Sequence, residues 1–216
     1  MASALNSTAC AVLGHLARRP WSAYELTKSL GRSLHWFWPR AESRIYDEAR
    51  KLVSLGFATA TTDRVGARRR TTYAATPAGR AALSAWLATE PETFAYHSEG
   101  LLRVHLAAFG TKQELLAAIE HVDATAEAIL ADAREVATVY AEGRHALQGD
   151  AHLRALVLDH LVSLATTLRA WARRTRHEVD FWDDLEPDDR KLREGIRRMT
   201  KAVEELPAAR ADRPAG

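Results

Sequence analysis

The stretch from Phe57 to Thr76 does most to limit what this chain can fold into. "FATATTD" and "RTTYAAT" are short runs rich in Thr, aromatic and Ala residues, and "RVGAR" between them offers Gly66 as a turn residue. That pattern reads as a β-hairpin. The surroundings are different: Ala, Leu, Glu and Arg dominate, with only 11 Gly and 7 Pro in 216 residues, a mixture that favours helix. The expected fold class is therefore mostly α with a small β-hairpin.

Three helices are expected ahead of the hairpin. In the first, Leu5 to Ala17, the residues Ala9, Val12, Leu13 and Leu16 form one apolar stripe, and Pro20 follows its end. Ser22 and Glu25 have the spacing of a capping box, with Trp21 placed to staple onto Leu26. This opens a short helix over 23–30, with Gly31 as its stop. "WFWPRAESRIYDEARKLVSLGF" supplies the third. Ile45, Ala49 and Leu52 share one side with Glu48 at its edge, Ser43, Tyr46 and Arg50 lie opposite beside Arg44, Asp47 and Lys51, and Gly56 ends the helix. At least two of Trp36, Phe37 and Trp38 are expected to fill a small core and brace the helix entrance, because aromatic rings bury large areas. After the hairpin, Thr76 and Pro77 are the cap and first position of a fourth helix.

Charge divides the chain. Residues 1–90 hold 13 Lys and Arg against 6 Asp and Glu, a balance of +7, and the remainder holds 17 against 22, or −5. A basic front half suits a phosphate backbone. Three helices followed by an Arg-rich hairpin have the order of a winged helix-turn-helix, whose third helix enters the major groove while the wing lies on phosphates or in the minor groove.

"AVLGHLARRPWSAYELTKSL", "WPRAESRIYDEARKLVSLGF" and "RRRTTYAATPAGRAALSAWL" resemble successive blocks of the PadR family of transcriptional regulators. The matching places are Ala23-Tyr24-Glu25, Ser43-Arg44-Ile45-Tyr46, Gly56-Phe57 and Tyr73 to Gly79, with Ala23 and Ala75 departing from the family's Gly and Leu. The resemblance covers roughly residues 10 to 90. It implies a DNA-binding winged helix-turn-helix domain over residues 1–90. The DNA-contacting set expected from it and from the helix face is Ser43, Arg44, Tyr46, Arg50, Lys51, Arg40 and Tyr24, with Arg64, Arg68, Arg69 and Arg70 on the wing.

Residues 91–206 read as an α-helical dimerisation and effector domain, and residues 207–216 as a disordered tail. "SEGLLRVHLAAFG" is apolar enough to be buried, Thr111 and Glu114 cap a helix running to about Gly143, and a second long helix runs from Ala151 to about Trp182. Its stripe includes Leu153, Leu156, Val157, His160, Leu161 and Trp171, and "DDRKLREGIRRMTKAVEEL" forms a last helix. Long amphipathic helices leave apolar surface to be covered by association, and a two-fold dimer matches a pseudo-palindromic site. The looser C-terminal match resembles the family's virulence-activator-like helical region. It implies a homodimer joined by the C-terminal helices, with a small aromatic effector as possible ligand and Trp86 and Trp171 as candidate lining residues.

The lone Cys10 excludes an internal disulfide and a Cys-based zinc site and fits a reducing cytoplasm. His97 and His105, like His152 and His160, are eight apart, so no zinc-helix spacing occurs. His160 is expected as a satisfied core histidine. No cofactor, metal, membrane span or enzymatic constellation is expected. The function read here is a ligand-responsive repressor. A winged-helix protein-interaction module and a MarR-type phenolic-responsive regulator remain the alternatives.

Overall fold

The structure, a computed structural model, describes residues 5–39, 41–65 and 68–204, the side chains of Ser33, Val65, Arg68 and Arg69 excepted. The helices are α1 (Ser7–Leu16), α2 (Ala23–Leu34), α3 (Glu42–Ser54), α4 (Pro77–Leu87), α5 (Glu99–His105), α6 (Lys112–Ala141), α7 (Ala151–Asp180) and α8 (Asp189–Glu204). The strands are β1 (Trp21–Ser22), β2 (Ala58–Val65) and β3 (Arg68–Ala75), an antiparallel sheet in the order β1-β3-β2. The fold is mostly α, a winged helix followed by a helical region.

The chain forms two compact units, one of Met1–Tyr96 with Ala131–Val162 and one of His97–Leu130 with Ser163–Gly216. In the first, the α1 stripe Ala9, Val12, Leu13 and Leu16 is buried against Leu26, Leu30, Ile45, Ala49, Leu52 and Tyr73. Leu147, from the turn between α6 and α7, completes that core. The Ser22–Glu25 capping box closes the start of α2, and Asn6 caps α1. Gly56 takes the left-handed conformation after α3 (φ 74°). Thr76 caps α4 with Pro77 in its first turn.

Several expectations give way. Gly31 does not stop α2, which continues to Leu34, the side chain that packs on the core one turn beyond Leu30. The aromatic triad is not core: Phe37 is 45% exposed, and Trp36 and Trp38 are half-buried in the turn that closes α2 through Phe37 N and Trp38 N to the Leu34 carbonyl. α3 starts without a side-chain cap at Ala41.

The second unit has a core of Leu115, Ile119, Ala172 and Val179, with Trp171, Trp182 and Leu185 packed on it. The Thr111–Glu114 box opens α6, and Lys191 is held by Asp184 and Asp188 in the acidic connection. "SEGLLRVHLAAFG" is only partly buried: Gly100 is buried and Val104 and Ala107 pack on the core, while Leu102 and Leu106 are exposed and Phe109 is 92% exposed on the opposite side. His160 is likewise exposed rather than a core residue, beside exposed Leu153, Leu156 and Val157, since α7 buries Leu161 and Ala165 instead. The expected tail lies outside the described residues. No described helix is long and apolar enough to cross a membrane.

Candidate nucleic-acid interface

α3 presents two chemically opposite sides. Ile45, Glu48, Ala49 and Leu52 are buried, which fixes the helix's rotation. Glu48 is anchored by Asn6, whose Nδ2 donates to Oε1 at 2.8 Å. With that side held, Ser43, Arg44, Arg50 and Lys51 are exposed and Tyr46 is half-buried. Ser43 and Arg44 stand in the first turn, the part of a recognition helix that reaches base edges. Arg50 donates to Asp47 at 2.7 Å in an open surface pair, which holds it only weakly. Tyr24 is exposed on α2, with the Lys28 ammonium 5.9 Å from its ring centroid. Arg40 lies outside the described residues.

The hairpin aligns Val65 with Arg68, Arg64 with Arg69, and Asp63 with Arg70. Arg64 is exposed. The Arg70 guanidinium reaches back to Glu25 on α2, at 2.9 Å. The Glu25 carboxyl is pulled down to about 2, first by its hydrogen bonds from Ser22 and then by Arg70.

Two contacts escaped the sequence reading. Trp36 Nε1 donates to Asp132 Oδ2 at 2.9 Å, and His35 Nε2 lies 3.2 Å from the same oxygen. No local pattern announces a pair 96 positions apart. The Glu25–Arg70 pair was half visible, since the capping box marks Glu25 but says nothing of β3.

Trp86 lines a groove of about 910 Å³ with Trp38, Phe37, Arg44 and the start of α1. Trp171 packs on the second unit's core instead. His15 is buried, with its pKa pushed down to about 4, mainly by burial and further by Arg154 and Arg18. Among the described residues, no His, Cys, Asp and Glu group could hold a metal ion.

A buried-face-locked α3, a short α2 before it and a basic hairpin after it define a winged helix-turn-helix protein. Residues 12–85 match the model of the transcriptional regulator PadR-like family. The negative transcriptional regulator PadR of Bacillus subtilis (strain 168) is 32% identical over 108 residues, which span 48% of this chain and 58% of that relative. Over that winged segment the chain is similar to the PadR-like family of transcriptional regulators, and it spans little more than half the length of the curated relative it matches. The fold is similar to crystal structures of Bacillus subtilis PadR, one in complex with operator DNA (TM-score 0.67, 23% identity, 81% of this chain and 99% of that one) and one with p-coumaric acid (TM-score 0.62, 22%, 81% and 99%). It is also similar to the Vibrio cholerae virulence activator AphA (TM-score 0.59, 19%, 81% and 98%).

Proposed function

We propose that this chain is a sequence-specific DNA-binding repressor that occupies a pseudo-palindromic operator as a homodimer and releases it on binding a small aromatic effector. The observation that carries the reading is the exposed first turn of α3, with Ser43 and Arg44, beside a hairpin that sets Arg64 opposite Arg69. Ser43, Arg44, Tyr46 and Arg50 face the major groove, with Lys51 at the edge. Arg64, Arg68 and Arg69 hold phosphates. The match of residues 12–85 to the PadR-like family model and the operator complex of the similar Bacillus subtilis protein support DNA as the partner.

The homodimer is supported by the apolar stripe of α8. Leu192, Ile196, Met199 and Val203 recur at helical spacing and are all exposed. An uncovered face of this kind marks an association surface. The effector reading rests on the groove that Trp38 and Trp86 line, which contains Arg44 and so joins ligand to DNA-facing residue. An effector must favour one conformation to shift the DNA equilibrium. The protein acts in the cytoplasm and carries out no catalysis of its own.

Fluorescence anisotropy of a labelled duplex from the gene's upstream region, titrated across salt with an unrelated duplex as control, tests the reading. Preference for the upstream duplex with a steep salt dependence is expected. Arg64→Ala should lower the salt slope by about 1, the signature of one lost phosphate contact. Equal affinity for both duplexes at every salt concentration would favour a winged module that binds protein.

A further inference from the structure

One carboxylate oxygen ties two elements of the winged unit together. Glu25 Oε2 accepts hydrogen bonds from Ser22 N at 3.0 Å, from Ser22 Oγ at 2.7 Å and from Arg70 Nη2 at 2.9 Å. The first two cap α2. The third comes from the wing. Strand β1 is only two residues long, and its pairing with β3 ends at Ser22 opposite Thr72. Beyond Thr72, toward the tip, β3 pairs only with β2. A two-stranded ribbon twists more freely than a three-stranded sheet and is marginal when unsupported. Arg70 lies two residues past Thr72, on the same face of the strand. Among the described side chains, its pair with Glu25 is the outermost hydrogen bond between the wing and the helices.

We propose that Glu25 is a positioning residue, and that Arg70 is the wing's half of a tie rather than a DNA contact. The tie sets the height of the ribbon over α3, so that Arg64, Arg68 and Arg69 meet the backbone while Ser43 and Arg44 meet the groove. This rests on the DNA-binding reading above. The two possible roles of Arg70 give opposite signs for one substitution. If Arg70 gripped phosphate and Glu25 only capped α2, neutralising Glu25 would remove a negative charge near DNA and free a cation, and binding would tighten. If Glu25 positions the wing, neutralising it loosens the ribbon and binding weakens. Gln at position 25 keeps an oxygen for the Ser22 donors, so the cap persists while the charge pairing goes.

The test compares Glu25→Gln, Arg70→Met and the double variant in the full chain. Each single change should weaken binding to the upstream duplex on the order of tenfold, the scale of one coupled charge contact. The salt slope should stay at the wild-type value, because the bound wing makes the same phosphate contacts and the loss is the cost of ordering a loosened ribbon. The double variant should be no weaker than either single one. Hydrogen exchange without DNA should speed up in β2 and β3 and stay unchanged in α1 and α3, which a general loss of stability would not produce. Unchanged or tighter DNA binding by Glu25→Gln, or a slope lowered by about 1 in Arg70→Met, overturns the proposal. If the wild type prefers no duplex, the DNA-binding reading falls and exchange alone decides the tie: acceleration confined to β2 and β3 keeps it, wild-type protection ends it.

Discussion

Gly79 gives the sharpest test of how the winged unit is packed. A Cβ built on Gly79 would lie 2.1 Å from the Phe57 carbonyl oxygen, 2.9 Å from its carbon and 3.1 Å from Leu13 Cδ1. Even close carbon–oxygen contacts sit at roughly 3.3–3.6 Å, so the Gly79→Ala methyl would need more than about 1 Å of relief. The two nearest obstructing atoms are backbone and cannot swing aside. Moving the start of α4 away would stretch the Thr76 N to Phe57 O bond (3.0 Å) and the Thr76 Oγ1 to Gly56 O bond (2.8 Å). Overpacking costs about 1–3 kcal/mol and a lost hydrogen bond about 1, so Gly79→Ala should destabilise by roughly 3 kcal/mol. For a chain of this size that is a fall in Tm of roughly 6–12 °C, read by circular dichroism at fixed protein concentration. Gly31→Ala is the control. Nothing lies within 4 Å of the methyl it adds, and the site is inside α2, so it should stabilise, by about 0.5–1 kcal/mol. A Gly79→Ala protein melting at the wild-type temperature would refute the packing account.

Two further outcomes are expected. His15 is neutral in the folded protein at a pH where the unfolded chain protonates it, because burial has taken its pKa from 6.5 to about 4. Its contribution is fully present above pH 6.5 and is lost as pH falls toward 4, up to roughly 3 kcal/mol. His15→Leu should therefore flatten the wild-type decline in urea midpoint over that window, and parallel curves would refute it. Ile196→Glu on the α8 stripe should shift the protein from dimer to monomer in light scattering. A monomeric wild type would show that the stripe is not a self-association surface.

Local signals in the sequence located most elements because their causes are local. The α1 stripe, the Ser22–Glu25 box, the Thr76–Pro77 start and the two sides of α3 follow from periodicity and capping, and each stands where the residues put it. What failed depended on distant partners. Gly31 looked like a stop because a glycine's effect on a helix depends on whether the next turn has a core to pack on, and Leu34 has one. Trp36 looked like core filling because its Asp132 partner is remote in sequence. The Arg70 contact with Glu25 was not legible because strand pairing, not local spacing, brings the two together. His160 and α5 read as buried because apolar spacing alone does not say whether a face is covered within the protomer or by another molecule.

Leu147 carries a consequence for how the protein is made. The winged unit's core includes this residue, and Arg18 pairs with Asp150 in the same later segment. When α4 leaves the ribosome, the unit is therefore unfinished: its hydrophobic centre has an opening and one of its arginines lacks a counter-charge. Residues 88–162 must still be added, roughly 4–15 s of synthesis at ordinary elongation rates. During that interval the basic helix and hairpin are already present on the nascent chain while the core beneath them is still wet. Completion of the winged unit's core thus waits until residues 147–150, between the two long helices, have also been made.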